Sequence, residues 1–173
     1  ALVIALAFLG VKAQNGQIVN LQLETRIDYQ REYLDGDAVK ANSGFKGKYL
    51  NVILNGTIND HWSYSYRQRL NKAHADQSFF DATDWIHLTY RLNDNWAFNG
   101  GKQVVGIGGY EYDRAPIDLY FCSEYWNNIP CYQLGVSATY TTNKGNDSFM
   151  AQFCESPFNF NNEDLYAYNL MWY

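Results

Sequence analysis

Four arginines are the residues best equipped to do chemistry in this chain. Arg67, Arg69 and Arg91 share one parity in two neighbouring segments, and Arg26 sits at the polar parity of an earlier one. A guanidinium is a rigid fork of donors that matches carboxylate or phosphate with two bonds, so a row of them would guide anions. Glu24 and Asp28 flank Arg26 on the same parity, and cross-strand ion pairing is the plainer account of that grouping. Catalysis has no candidate constellation. His61, His74 and His87 lie on separate segments without an H-E-x-x-H, and Gly135-Val-Ser137 lacks the second glycine of a nucleophile elbow. Gly106-Ile-Gly108-Gly109 has its third glycine misplaced for a dinucleotide fingerprint, with no helix following. Asp35-Gly-Asp37 reads as a turn rather than a calcium loop, and no metal-ligand spacing appears among the cysteines. The expectation is a protein that is no enzyme and needs no cofactor or metal. Cys122 and Cys131 lie nine apart in a Gly/Pro-punctuated segment, a spacing that closes a small disulfide loop in an oxidising compartment and leaves Cys154 over. Incidental, unpaired thiols are the alternative.

The arginines are positioned by alternation. From Val19 the odd positions read Val, Leu, Leu, Thr, Ile, Tyr and the even ones Asn, Gln, Glu, Arg, Asp, Gln. An extended strand sends successive side chains to opposite faces, so one face is apolar and the other polar. The pattern recurs at Leu50 to Ile58, Trp62 to Arg69, Ile86 to Leu92, Trp96 to about Val105, Tyr132 to Tyr140, Phe149 to Cys154 and Tyr166 to Trp172. About eight antiparallel strands are therefore expected, with Glu24, Arg26, Asp28, Arg67, Arg69, His87 and Arg91 on the polar face. Composition agrees: 17% of the 173 residues are aromatic, too many for a disordered chain. A formal net charge of −5 argues against a nucleic-acid binder, and a mean hydropathy of −0.41 against a helical membrane protein.

The connections alternate in length. Asn59-Asp60, Asn93-Asp94-Asn95 and Thr141 to Asp147 are short turns. Leu34 to Gly44, Lys72 to Thr83, Ser156 to Asp164 and, longest, about Ile107 to Pro130 are long loops. Two near-repeats, Ile58-Asn-Asp-His-Trp62 and Leu92-Asn-Asp-Asn-Trp96, each set a Trp just after a short turn. Trp favours a site with its ring in hydrocarbon and its N–H in water, so Trp62 and Trp96 read as part of an interfacial aromatic girdle. Strands near ten residues, loop asymmetry and paired Trp together describe a transmembrane β-barrel, because in lipid only a closed sheet satisfies its backbone. Lys46 and Lys48 fall on the outward parity near a strand end, where lipopolysaccharide phosphates, a snorkelling rim or a bulge near Gly47 would each explain them. The apolar run Ala1 to Gly10, followed by Val11-Lys12-Ala13, resembles the remnant of a signal peptide cut after Ala13; a buried N-terminal helix is the alternative. The barrel domain is then residues 14–173.

With these residues in view, the chain resembles the N-terminal half of a Gram-negative outer-membrane porin of the phosphate-selective porin O/P-like group, in its Bacteroidetes-type version. The matching stretches are Leu54 to Leu70, Asn99-Gly-Gly-Lys-Gln103, Gly108 to Ile117 and Gly135-Val-Ser-Ala-Thr-Tyr140. The resemblance implies an up-and-down barrel of sixteen strands, about eight of them present and the C-terminal part missing. It implies passive diffusion of small hydrophilic solutes or ions, with a preference for anions, through a homotrimer. The partners would be outer-membrane lipid and lipopolysaccharide, and no nucleic acid. In such porins the loop after the fifth strand folds into the lumen; here that loop would bring Tyr110, Glu111, Asp113, Arg114 and Asp118 to a constriction. Two other readings of the residues stay open: a small non-conducting outer-membrane barrel acting as adhesin or anchor, and a secreted soluble β-barrel binding a ligand or glycan.

Overall fold

Nine strands run in chain order through one antiparallel sheet in the computed structural model, which describes residues 7–12, 18–72, 78–107, 111, 119, 122–159 and 164–173. They are β1 (Ala7–Lys12), β2 (Ile18–Leu34), β3 (Asp37–Thr57), β4 (Trp62–Arg69), β5 (Thr83–Arg91), β6 (Trp96–Val104), β7 (Tyr132–Thr141), β8 (Ser148–Glu155) and β9 (Tyr166–Trp172). Each pairs with the next, the up-and-down order that short turns between period-two segments imply. Helical pieces among the described residues include a 3-10 turn at Leu70–Lys72 and α1 (Glu124–Asn128).

The structure differs from the sequence reading in three places. Ala7–Lys12, inside the run read as a leader, pairs with β2 from Ala7↔Leu23 to Lys12↔Ile18, so Trp96–Val104 is the sixth strand rather than the fifth. The span expected as a loop from Leu34 to Gly44 is instead a tight hairpin. Asp35 and Gly36 both take positive φ (51° and 92°) between the paired Leu34 and Asp37. That is the Asp-Gly signature of a two-residue primed turn, whose twist matches the flanking strands. The hairpin continues past the last β3–β4 pair, Asn51↔Arg69, so most of Ile27–Gly47 projects beyond the neighbouring strands. A bulge lies between Arg26↔Tyr49 and Ile27↔Gly47, leaving Lys48 as the extra residue. It moves Lys46 opposite Asp28, on the polar face, where the unbroken alternation had placed it outward.

Burial is inverted relative to a water-soluble protein. On the polar parity Asn51 is 0% exposed and Gln152 4%, whereas on the apolar parity Val136 is 56% exposed and Leu170 87%. The sheet curls around its polar side: the Tyr132 hydroxyl of β7 lies 3.2 Å from Arg67 Nη2 of β4, three strands away. A soluble sandwich turns its apolar face into a core. Here that face is outermost and the polar face lines the concavity.

The two near-repeats fold identically. Asn59 Oδ1 accepts the backbone N–H groups of His61 and Trp62, and Asn93 Oδ1 those of Asn95 and Trp96, all within 3.0 Å. Each Asx turn delivers its Trp onto the apolar face at the same height. Register extends this pair into a row: Trp62 meets Tyr90 at 4.9 Å between ring centroids, Trp96 meets Tyr140 at 5.1 Å, and Phe149 stacks on Trp172 at 6.3 Å. Trp172 Nε1–H donates to Asp147 of the adjacent turn at 3.0 Å, its ring staying on the apolar face. At the opposite rim the Lys102 ammonium, on the apolar parity, bends to the Phe80 carbonyl at 3.0 Å and lies 5.0 Å from the Phe80 ring. A lysine stem on an apolar face with its head at the rim is snorkelling.

Candidate functional site

The concave face divides across the sheet. On β2–β5 it is charged. Arg67 and Arg69 lie two apart on β4 and so point the same way. Their common partner comes from a second bulge, where β4 pairs Arg67↔Trp85 and then Gln68↔Thr83, leaving Asp84 as the extra residue. The bulge turns Asp84 to the concave side, beside Trp85, which alternation already places there. Asp84 Oδ2 then accepts from Arg67 Nε at 2.6 Å and from Arg69 Nε at 2.9 Å, with all three side chains at most 13% exposed. One carboxylate thus serves two guanidiniums, and the triad carries one net positive charge. The Arg67 guanidinium also lies 4.3 Å from the Trp85 ring and 5.8 Å from that of Tyr132, and Trp85 Nε1 donates to Ser65 Oγ. Aromatic faces favour a desolvated cation, so the fork is held in place.

Arg26 is committed differently. It forms a two-pronged pair with Asp28, at 2.9 Å from Nε and 2.7 Å from Nη2, and its Nη1 donates to the Leu119 carbonyl at 2.7 Å. Glu24 accepts from Asn51 Nδ2 at 3.1 Å. The row of arginines anticipated from spacing is therefore not uniform. Arg26 and Asp28 cancel on one strand, while Arg67 and Arg69 share their counter-ion. His87 lies on the same face, and Arg91 is exposed at the short-turn rim, its backbone paired with His61.

On β6–β9 the concave face is uncharged. Its rows are Ala97, Asn99 and Gln103 on β6, Gln133, Ser137 and Thr139 on β7, Ser148, Met150 and Gln152 on β8, and Ala167, Asn169 and Met171 on β9.

The connection after β6 touches the concave face at its described points. Gln152 grips its start, accepting from Gly106 N–H at 2.7 Å and donating to the Val104 carbonyl at 2.8 Å. A Cβ at residue 106 would stand 2.8 Å from Met171 Sδ and 3.1 Å from Met150 Cε, so glycine permits the close approach. Further along, Leu119 reaches Arg26 on β2. Glu111 does not face solutes freely: its carboxylate accepts the Ser123 N–H and hydroxyl, and Ser123 in turn caps α1 through Trp126 N–H. Tyr110, Asp113, Arg114 and Asp118, expected at the same aperture, and His74 lie outside the described residues. No disulfide joins Cys122 and Cys131. Cys131 is fixed at the entry to β7, its carbonyl taking the Val105 N–H, while Cys122 lies against Tyr49 of β3. Outside the strands, the Ser78 hydroxyl bonded to Asp81 holds that carboxyl below its usual range.

Asp84 is a site residue that alternation could not flag, because a one-residue bulge changes parity without a mark of its own; Trp85 shares the parity of His87 but carries no charge to draw notice, and Tyr132, at the parity of Leu134, meets Arg67 from the first position of β7. Among the described residues no group of three His, Cys, Asp or Glu could hold a metal ion. Compared with known proteins, residues 19–172 match the family model described as phosphate-selective porin O and P. No curated protein and no solved structure matches the chain.

Proposed function

The chain belongs to the family of phosphate-selective porins O and P, and from that premise we propose that its concave face lines an outer-membrane pore that favours small anions over cations. The observation that carries this reading is the inverted burial: apolar rows outermost and ionic rows enclosed, the arrangement that lipid outside and water inside demand. In hydrocarbon the outer edges of β1 and β9 must also be paired, so the sheet functions as part of a closed barrel.

Selectivity follows from charge on the lining. Arg26, Lys46, Arg67, Arg69 and Arg91 stand against Glu24, Asp28 and Asp84, a surplus of two positive charges. One of them sits where Arg67 and Arg69 share Asp84. Two described points of the connection after β6, Gly106 at Gln152 and Leu119 at Arg26, lie against this lining. A narrow, low-dielectric aperture magnifies the field on a passing ion. The test is conductance of the full-length protein in a planar bilayer: stepwise channels whose reversal potential in a salt gradient favours chloride are expected. Absence of channels would refute the pore, and cation preference would refute the selectivity.

A further inference from the structure

The uncharged wall of β6–β9 holds a cavity of about 450 Å³, lined by His87, Asn99, Gln103, Gly106, Met150 and Met171 with their neighbours. Three polar atoms of this lining are buried without a hydrogen-bond partner: His87 Nδ1, Asn99 Oδ1 and Gln103 Nε2. Gln103 is 4% exposed, and the Ser137 hydroxyl donates to its Oε1 at 2.9 Å, which leaves Nε2 unbonded. Buried polar groups are nearly always paired, so three around one cavity call for a ligand that brings the missing partners. The lining has no Arg, Lys, Asp or Glu. A charged solute would surrender its hydration there with no counter-charge, and an apolar one would leave all three polar atoms unpaired. Met150 and Met171 pair across β8 and β9 and supply a polarisable apolar surface, with the Gly106 backbone packed directly on them. A volume of this order suits a small ligand.

We propose that this cavity is a binding station for an uncharged polyhydroxylated solute of monosaccharide size, its hydroxyls meeting Asn99, Gln103 and His87 and its C–H face meeting the methionine pair. The inference rests on the pore reading above and places on one lumen two separate walls, charged for anions and neutral for sugars.

The experiment uses full-length protein in planar bilayers, with glucose as probe and a polyethylene glycol of similar size and inorganic phosphate as controls. Glucose is expected to interrupt the open-channel current with a saturating concentration dependence, while the glycol lowers it linearly. Asn99→Ala and His87→Ala are each expected to raise the half-blocking glucose concentration roughly three- to tenfold, the worth of one neutral hydrogen bond. Heat-modifiable gel mobility checks that each variant forms a barrel, and whichever variant folds carries the test. A linear glucose response, a saturating block that neither variant shifts, or phosphate competing with glucose at this station would each overturn the proposal while leaving the pore intact. Loss of all conductance in the unmodified protein would instead remove the pore reading.

Discussion

Replacing Arg67 by Gln tests the charge argument at its centre. Asp84 keeps Arg69 as partner at 2.9 Å, so the change removes the triad's net positive charge without stranding a buried carboxylate. For an ion passing about 7 Å from that site in water, Coulomb's law gives about 0.6 kcal/mol. Screening at 0.1 M salt roughly halves it to about 0.3 kcal/mol. The sign is opposite for anion and cation, so the difference of about 0.6 kcal/mol is close to RT and alters the anion-to-cation permeability ratio about threefold. Arg67→Gln should therefore lower that ratio about threefold, and Arg67→Lys should largely preserve it. The assay is reversal potential across a tenfold KCl gradient centred near 0.1 M, repeated near 1 M, where a Debye length of about 3 Å should erase the effect. An unchanged or increased ratio in Arg67→Gln at low salt would refute the assignment of a surplus charge to this triad.

Further expectations follow from the same geometry. Val136→Arg on the exposed apolar face should cost about 2–4 kcal/mol of stability in lipid by urea titration, while Thr139→Arg on the concave face should cost less than about 1 kcal/mol. Trp96→Ala removes an aromatic belt member and its contact with Tyr140, and should lower stability in the same titration by about 1–3 kcal/mol. Gln152→Leu severs both bonds that hold Val104 and Gly106; at about 1 kcal/mol each, opening of the segment should rise roughly thirtyfold, read as faster protease cleavage between residues 107 and 130.

The strands were legible because lipid on one side and water on the other impose a sharp period-two contrast, as at Ile86, His87, Leu88 and Thr89. The Asn-Asp-x-Trp turns were legible because their side-chain bonds are local. The projecting part of the β2–β3 hairpin was not, since Arg31, Glu32, Lys40 and their neighbours are exposed on both faces and lose that contrast. The bulge beside Gly47 was open as one of three readings of Lys46 and Lys48, but the one at Asp84 was not legible: a bulge shifts parity by one residue, and its meaning depends on which strand lies opposite. Ala7–Lys12 escaped notice as a strand because a short apolar run looks alike in a leader and in a sheet, and its pairing with Ile18–Leu23 leaves no mark in alternation. The tie between Arg26 and Leu119 spans 93 residues and is a property of the curled sheet alone.

The most direct measurement labels the two faces in place. With Cys122, Cys131 and Cys154 replaced by Ser, single cysteines at Ile86, His87, Leu88 and Thr89 are probed in lipid vesicles with a charged, membrane-impermeant thiol reagent and with a lipid-borne quencher of a thiol-linked fluorophore. Positions 87 and 89 should react with the reagent, and 86 and 88 should respond to the quencher. Labelling of 86 and 88 from water, with 87 and 89 sealed, would mean that the greasy rows form a dry core, and neither pore nor barrel would survive that result.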